Sequence, residues 1–149
     1  MARAKFQVLV FPYRRSTNGA LEFCLFKRAD NQLWQGVAGG GEDDETPLEA
    51  ARRETAEEAG ISASATLITL DSVESIPAEI FSAKASWGED VFVIPQYSFG
   101  IQADELIAIS HEHTEFGWFS YDQAISLMRY DGDKTALWEL RQRLEKRSA

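Results

Sequence analysis

Residues 46 to 60 carry the signals for both ends of an α-helix, and this segment constrains the fold more than any other. Thr46 is a helix-capping residue, Pro47 suits the first helical position, and Glu49 can return a hydrogen bond to the Thr46 backbone in a capping box. Gly60 can adopt the left-handed conformation that ends many helices. The pattern therefore predicts a helix that begins just after Thr46 and ends just before Gly60.

Segments rich in β-branched and aromatic residues lie on both sides of this helix and predict strands. Before the helix, residues 4–13 and 21–28 flank an Asn18-Gly19 turn and should pair. A third short strand begins at Leu33 and runs into the glycines. After the helix, the strand pattern covers 64–75, 77–83, 91–102 and 115–120, with a polar loop predicted over 84–90.

Two more helices are predicted toward the C-terminal end. Ser120 and Gln123 form a second capping box, which begins a helix that extends to about Tyr130. The sequence DGD predicts a turn, and from Asp133 leucines recur at helical spacing with basic residues near the end. This order of elements predicts the α/β class, with helices on the faces of a mixed sheet, in a single domain over residues 1–149.

The composition restricts the partners of such a domain. Fifteen basic residues against 24 acidic ones give a net charge of -9, which disfavours a nucleic acid polymer or an anionic membrane as partner. The single cysteine and the lack of a membrane-length apolar run lead us to expect a cytoplasmic protein. A phosphate-bearing ligand would need a bridging cation.

Glu54, Glu57 and Glu58 project onto one side of the predicted helix, because they are three and four residues apart. Each such pair of like charges costs about 0.2 to 0.5 kcal/mol in an isolated helix. A cation reverses the sign of this interaction, and Mg²⁺ is usually held by a few carboxylates, waters and substrate phosphates. A solvated acidic helix is the alternative that these three residues leave open.

The spacing around the three glutamates is more specific. Gly39 is followed after five residues by Glu45, and after seven more by the sequence RETAEEAGI, which starts at Arg53. This resembles the signature of the Nudix hydrolases, G-x5-E-x7-R-E-U-x-E-E-x-G-U, where U is aliphatic. All seven fixed letters are present. The departure is Thr55 at an aliphatic position, where its volume is close to that of valine.

The resemblance implies an α/β/α sandwich with a mixed β-sheet, and hydrolysis of a phosphoanhydride in a small-molecule substrate with Mg²⁺ or Mn²⁺. It also implies roles for individual residues. Glu54 would be a metal ligand or the base that activates water, and Arg53 would orient a glutamate. Glu45 would support the loop or an outer metal. The implied metal ligands are Gly39 through its carbonyl, Glu54, Glu57 and Glu58.

Many Nudix hydrolases use a further acidic residue from a distant loop, and Glu112 and Glu115 are the candidates here. We favour Glu112 as a further catalytic residue and metal ligand. Its neighbours His111 and His113 could be ligands or bases, although histidines in a polar loop are more often exposed.

The candidate substrate contacts lie at the ends of predicted strands. Arg28, with Lys27 beside it, could grip a phosphate through its guanidinium, and a surface salt bridge is the alternative. Trp34, Phe81, Trp87 and Phe116 could stack on a base or pterin ring, although single large aromatics are more often core residues or loop anchors.

The segments FKRADNQLWQGVAGGGEDDET, AEIFS and EHTEFGWF are similar to the branch of the family that acts on dihydroneopterin triphosphate and dATP. The similarity implies cleavage between the α and β phosphates to give a monophosphate and pyrophosphate. Diadenosine polyphosphates, nucleotide sugars and oxidised nucleotides are alternative substrates. A non-catalytic regulatory domain and an acidic protein-binding module are the alternatives from other classes. We expect a monomer or homodimer.

Overall fold

The structure is a computed structural model that describes residues 2–104 and 106–148. It contains seven strands and four α-helices within these ranges. The strands are β1 Arg3–Arg15, β2 Leu21–Arg28, β3 Trp34–Gln35, β4 Val37–Glu42, β5 Leu67–Pro77, β6 Val93–Gln102 and β7 His113–Phe119. The helices are α1 Pro47–Ala59, α2 Lys84–Trp87, α3 Tyr121–Leu127 and α4 Asp131–Ser148.

Helix α1 has the termini that its sequence predicts. The Thr46 hydroxyl accepts a hydrogen bond from the Glu49 backbone N–H at 3.2 Å, and the Glu49 carboxylate accepts one from the Thr46 N–H at 2.8 Å. Gly60 ends the helix with a φ of 70°. Because both ends are satisfied locally, the register of the residues on α1 is fixed before tertiary packing is considered.

The sheet is mixed, as predicted. Its main order is β3-β2-β1-β6-β5, with β4 paired to β1 and β7 paired to β2. Strands β1 and β6 run parallel, and the other pairs are antiparallel. The predicted pairing of 4–13 with 21–28 is confirmed, since Tyr13 lies opposite Phe23.

Strand β1 separates two hydrophobic cores. Val8 and Val10 pack with α1, whereas Leu9 and Phe11 pack with α3 and α4. Successive residues of a strand point to opposite faces, so this alternation places helices on both sides of the sheet. The result is the expected α/β/α sandwich. Among the described helices, none is both long and apolar enough to cross a membrane.

The segment after β5 differs from its prediction. The strand predicted over 77–83 is wrong, because Ala78–Ile80 form a 3₁₀ turn, and the loop predicted over 84–90 contains helix α2. Ala78, Trp87 and Ile94 bury their side chains together in a small third cluster. This local packing outweighs the β propensity of the segment.

The start of α4 also differs. The DGD sequence is the first turn of α4, which begins at Asp131, and α3 ends earlier than predicted, at Leu127. A Cβ placed on Gly132 would overlap the Glu74 carboxyl group. The glycine therefore permits a close helix-to-strand approach instead of forming a turn.

We expect Thr46→Ala to lower the free energy of unfolding by about 1 kcal/mol, because it removes the side-chain acceptor that caps α1. Urea denaturation measures the change. Thr46→Ser is the matched control, since it keeps the hydroxyl and should stay within a few tenths of a kcal/mol of the wild type. Equal losses in both variants would show that the methyl group, and not the cap, matters.

Candidate active site

The candidate site lies where α1 packs against the glycine-rich strand β4. A Cβ placed on Gly39 would overlap the carboxyl group of Glu54, so glycine allows this carboxyl group to lie against the strand without being displaced. The contact presses a helix carboxylate against the β4 backbone. The Gly39 backbone and the Glu54 side chain, which the family resemblance implies as metal ligands, thereby lie close together.

Three carboxylates converge at this point. One oxygen from each of Glu54, Glu57 and Glu58 lies within 4.8 Å of the others. Their exposures differ, at 13%, 55% and 8% of the side chain, so the cluster has one solvent-facing member and two that are largely covered. Several oxygen ligands with an open side suit a hard divalent cation that keeps part of its hydration.

Arg53 ties the cluster together through one guanidinium. It donates to the two Glu45 oxygens at 2.8 and 2.9 Å and to the Gly40 carbonyl at 2.9 Å. It also donates to Glu54 at 3.1 Å and to Glu57 at 3.2 Å. The planar donor fork suits this many acceptors, and Lys could not reproduce it. Arg53 therefore orients two of the clustered glutamates, and Glu45 anchors Arg53.

The electrostatics differ among these carboxylates. Burial raises the pKa of Glu54 to about 7, and neighbouring Arg53 opposes the rise only in part. The pKa of Glu45 is lowered, first because Arg53 donates hydrogen bonds to it. Glu45 is thus held ionised by Arg53, whereas Glu54 carries a charge that its surroundings do not fully compensate. A bound cation would favour its ionised form.

Thr55, the departure from the family signature, faces the sheet and is fully buried. Its hydroxyl donates to the Ala51 carbonyl one turn earlier at 2.6 Å. The polar group is therefore satisfied within the helix, and its methyl group packs in the place of an aliphatic side chain. The departure leaves the glutamates in position.

The loop before β7 closes over the end of α1. The Ala108 N–H donates to the Ala59 carbonyl at 2.9 Å, and the Ser110 hydroxyl donates to the Glu58 carboxylate. Ser110 also accepts from the Glu112 backbone N–H at 3.3 Å. Sequence reasoning did not single out Ser110, because local spacing does not reveal that this loop returns to α1.

His113 is buried beside Glu58, whereas His111 is exposed. The expectation that both histidines would be exposed is therefore wrong for His113, which starts β7 on the covered side of the sheet. Its Nδ1 lies 3.6 Å from a Glu58 oxygen and has no hydrogen-bond partner among the described residues. Burial is the main cause of its lowered pKa.

Glu112 is exposed at the end of the same loop, and its carbonyl accepts from the Ala29 N–H at 2.9 Å. Arg28 pairs with Asp30 through two hydrogen bonds of 2.8 and 2.7 Å. The pKa of Arg28 is raised, chiefly by the Asp30 hydrogen bond and to a smaller extent by Glu112 and Glu58. Arg28 therefore lies within electrostatic range of the loop acid and of the α1 cluster.

The other residues predicted to contact the substrate lie in different parts of the fold. Lys27 lies opposite Trp34 on β3 and Glu115 on β7. The half-buried Trp34 ring packs edge-on against Phe119, 5.4 Å between centroids. Phe81 lies under the Arg3 guanidinium at 5.1 Å. The two remaining aromatic candidates are the buried Trp87, whose indole N–H donates to the Arg3 carbonyl at 2.8 Å, and the partly exposed Phe116.

Comparisons with known proteins agree with this geometry. The family model of the NUDIX domain matches residues 5–140. The chain is 32% identical over 133 residues to dihydroneopterin triphosphate diphosphatase of Haemophilus influenzae, covering 87% of this chain and 83% of that protein. It is 30% identical over 123 residues to asymmetrical bis(5'-nucleosyl)-tetraphosphatase of Sus scrofa, covering 82% and 80%. A crystal structure assigned as a NUDIX hydrolase of Listeria monocytogenes superposes with a TM-score of 0.86 and 39% identity, covering 97% of both chains.

We expect the metal-free protein to lose stability as the pH rises from 5 to 8, partly through Glu54. Its pKa is about 7 in the folded chain and ordinarily 4.5, so the folded state holds the proton more tightly. Below about pH 4.5, the Glu54 carboxyl group therefore makes its full contribution to the free energy of unfolding. This contribution is lost as the pH rises through about 7. Glu54→Gln should reduce the fall in Tm measured in EDTA between these pH values.

The matched control is Glu115→Gln, which removes an exposed carboxylate on β7 and should keep the wild-type pH dependence. If Glu54→Gln also keeps the full wild-type pH dependence, then Glu54 does not titrate in this range.

Proposed function

The chain belongs to the Nudix family as a pyrophosphohydrolase, and from this premise we propose that it cleaves a triphosphate ester between its α and β phosphates. The observation that carries the proposal is the convergence of Glu54, Glu57 and Glu58 within 4.8 Å, beside Gly39. We further propose that residues 1–149 act as a single catalytic domain.

We propose Mg²⁺, or alternatively Mn²⁺, as the cofactor, held by the three glutamates and the Gly39 carbonyl. The set consists of oxygen donors, which fits either hard cation. When bound, such a cation neutralises phosphate charge and lowers the pKa of water. The covered carboxylate of Glu54 is a ligand or, with its raised pKa, the group that takes the proton from the attacking water. Arg53 holds Glu54 and Glu57 in position.

Residues from other elements complete the proposed site. Glu112 is placed by the loop that Ser110 fastens to Glu58, and we propose it as a further catalytic residue and ligand. Arg28 is the proposed phosphate contact, with Lys27 beside it on β2. The Asp30 side chain that pairs with Arg28 is exposed, so the Arg28 guanidinium can release this carboxylate and bind a phosphate instead. Trp34 and Phe81 are proposed to contact the rest of the substrate.

The favoured substrates are dihydroneopterin triphosphate and nucleoside or deoxynucleoside triphosphates, with a monophosphate and pyrophosphate as products. The relative at 32% identity, named for dihydroneopterin triphosphate, supports this choice. A diadenosine polyphosphate is the second candidate, because the relative at 30% identity is named for a dinucleoside tetraphosphate.

A substrate panel with Mg²⁺ tests the proposal, and phosphate released after pyrophosphatase addition measures the rate. We expect dihydroneopterin triphosphate and (d)NTPs to be hydrolysed in preference to diadenosine tetraphosphate, nucleotide sugars and ADP-ribose. Glu57→Gln should lose at least about 100-fold in rate, since even outer partners of metal ligands cost 10- to 100-fold. Turnover of ADP-ribose without hydrolysis of any triphosphate would contradict the proposed substrate class.

Glu112→Gln should lower kcat by roughly 100-fold, the lower range for a group that moves a proton or holds the metal. Glu115→Gln is the comparison, because Glu115 is the other candidate acid of this segment, is exposed nearby on β7 and is not favoured for the catalytic role. Steady-state kinetics on the best substrate of the panel measures both variants. A loss with Glu115→Gln alone would transfer the role to that residue.

A further inference from the structure

The three clustered glutamates are held by two different parts of the chain. Arg53 donates hydrogen bonds to Glu54 and Glu57 from within α1. The third member, Glu58, receives a hydrogen bond from the loop that precedes β7, where the Ser110 hydroxyl donates to its Oε2 atom. The side chain of Glu58 is only 8% exposed, so protein donors have to replace much of the water that a carboxylate needs. The loop therefore does for Glu58 what Arg53 does for the other two.

His113 directs a ring nitrogen at the same carboxylate oxygen. Its Nδ1 atom lies 3.6 Å from Glu58 Oε2. This nitrogen is buried and has no hydrogen-bond partner among the described residues, and the ring packs on Phe26 with 5.3 Å between centroids. Buried polar atoms nearly always have a partner. Glu58 Oε2 is an acceptor that a shift of about 0.6 Å would bring to hydrogen-bond distance.

The carboxylate favours a proton on the Nδ1 atom of His113. A charged imidazole carries protons on both nitrogens, and a neutral one carries a proton on a single nitrogen. In the neutral ring, a proton on Nδ1 presents a donor to Glu58, whereas a bare Nδ1 would set two acceptors against each other. In either charge state His113 is therefore placed to donate to Glu58, and contacts of this kind often shorten when a ligand binds.

The loop places both donors through backbone hydrogen bonds of its own. The His113 N–H donates to the Ser110 carbonyl at 3.2 Å, which closes a turn between the two residues. The Ala108 N–H joins the loop to the Ala59 carbonyl at the end of α1, and β7 pairs with β2 on the other side. Ser110 and His113 therefore approach Glu58 from a segment that is anchored at both ends.

Holding Glu58 in one orientation favours cation binding. A glutamate side chain has several rotatable bonds, and ordering them on binding opposes the association. The contacts from Ser110 and His113 both go to Oε2 and restrict this freedom before a cation arrives. Hydrogen-bond partners of metal-ligating side chains commonly change metal affinity by about 10- to 100-fold.

We propose that Ser110 and His113 are positioning residues for Glu58, and that the loop before β7 thereby sets the affinity of the three-glutamate cluster for a divalent cation. The proposal rests on the metal site proposed above. Both residues lie outside the family signature and act through Glu58. The same loop carries Glu112, so it would contribute one proposed ligand and orient another.

Titration of metal-free protein with Mn²⁺ tests the proposal without hydrolysis, and electron paramagnetic resonance measures the free Mn²⁺. Ser110→Ala and His113→Phe each remove one donor, and we expect each to raise the Kd for Mn²⁺ by about tenfold. Ser110→Thr keeps the hydroxyl, and His113→Asn keeps an N–H close to the Nδ1 position, so both should stay within about threefold of the wild type. Thr114→Ala removes an exposed side chain next to His113 and is the matched control.

Urea denaturation in EDTA establishes that each variant is folded before it is titrated. His113→Gln is a second variant at the same position, because its amide lies nearer to the place of Nε2 and should not restore the affinity. In hydrolysis assays, Ser110→Ala should raise the Mg²⁺ concentration that gives half the maximal rate by a similar factor. Excess Mg²⁺ should then restore most of kcat, because the substitution weakens metal binding and leaves the ligands in place.

Wild-type affinity for Mn²⁺ in both Ser110→Ala and His113→Phe would overturn the proposal. Equal losses in the conservative and the non-conservative variants would overturn it as well, because packing and not the donor atoms would then determine the affinity. The proposed function fails on a different result. The expected pattern of Mn²⁺ affinities without hydrolysis of any phosphoanhydride would uphold the positioning of Glu58 and contradict the proposed function.

Discussion

One guanidinium holds the candidate active site together. Arg53 joins the loop at Glu45, strand β4 at Gly40 and the helix at Glu54 and Glu57. Without it, like-charged groups a few ångströms apart would separate in solvent-facing rotamers. A single positive charge cannot balance this many carboxylates, and the residual negative charge explains why a divalent cation fits here. The capped helix and the glycine strand serve to place this one side chain.

On both faces of the sheet a glutamate carboxyl group packs against a glycine, but the two carboxyl groups have different electrostatic surroundings. Glu54 presses on Gly39 below one helix, and Glu74 presses on Gly132 at the start of another. The first carboxylate has Arg53 beside it. The second has as its closest acidic neighbour Asp133, whose pKa is raised to about 7. One face therefore collects anionic oxygens suited to a cation, whereas on the other face burial favours the protonated form of a carboxyl group.

The parts that the sequence predicts well are those determined by neighbours in the chain. Both ends of α1 and the grouping of Glu54, Glu57 and Glu58 follow from spacing within one helix, and the structure reproduces them. The segment 77–90 was mispredicted because the burial of Trp87 is a tertiary effect. Ser110 could not be found because the contact with Glu58 joins residues 52 positions apart.

The family signature does not identify the substrate. The glutamates, Gly39 and Arg53 all belong to the signature, and relatives named for a pterin triphosphate and for a dinucleoside tetraphosphate both match this chain. Discrimination must then come from residues outside the signature. Gln96 on β6 lies beside Gln7 on β1, and Gln7 lies beside Gly40 on β4, so polar side chains outside the signature lie next to the glycine strand. In a chain with a net charge of -9, a phosphate-bearing substrate is expected to need a bridging cation.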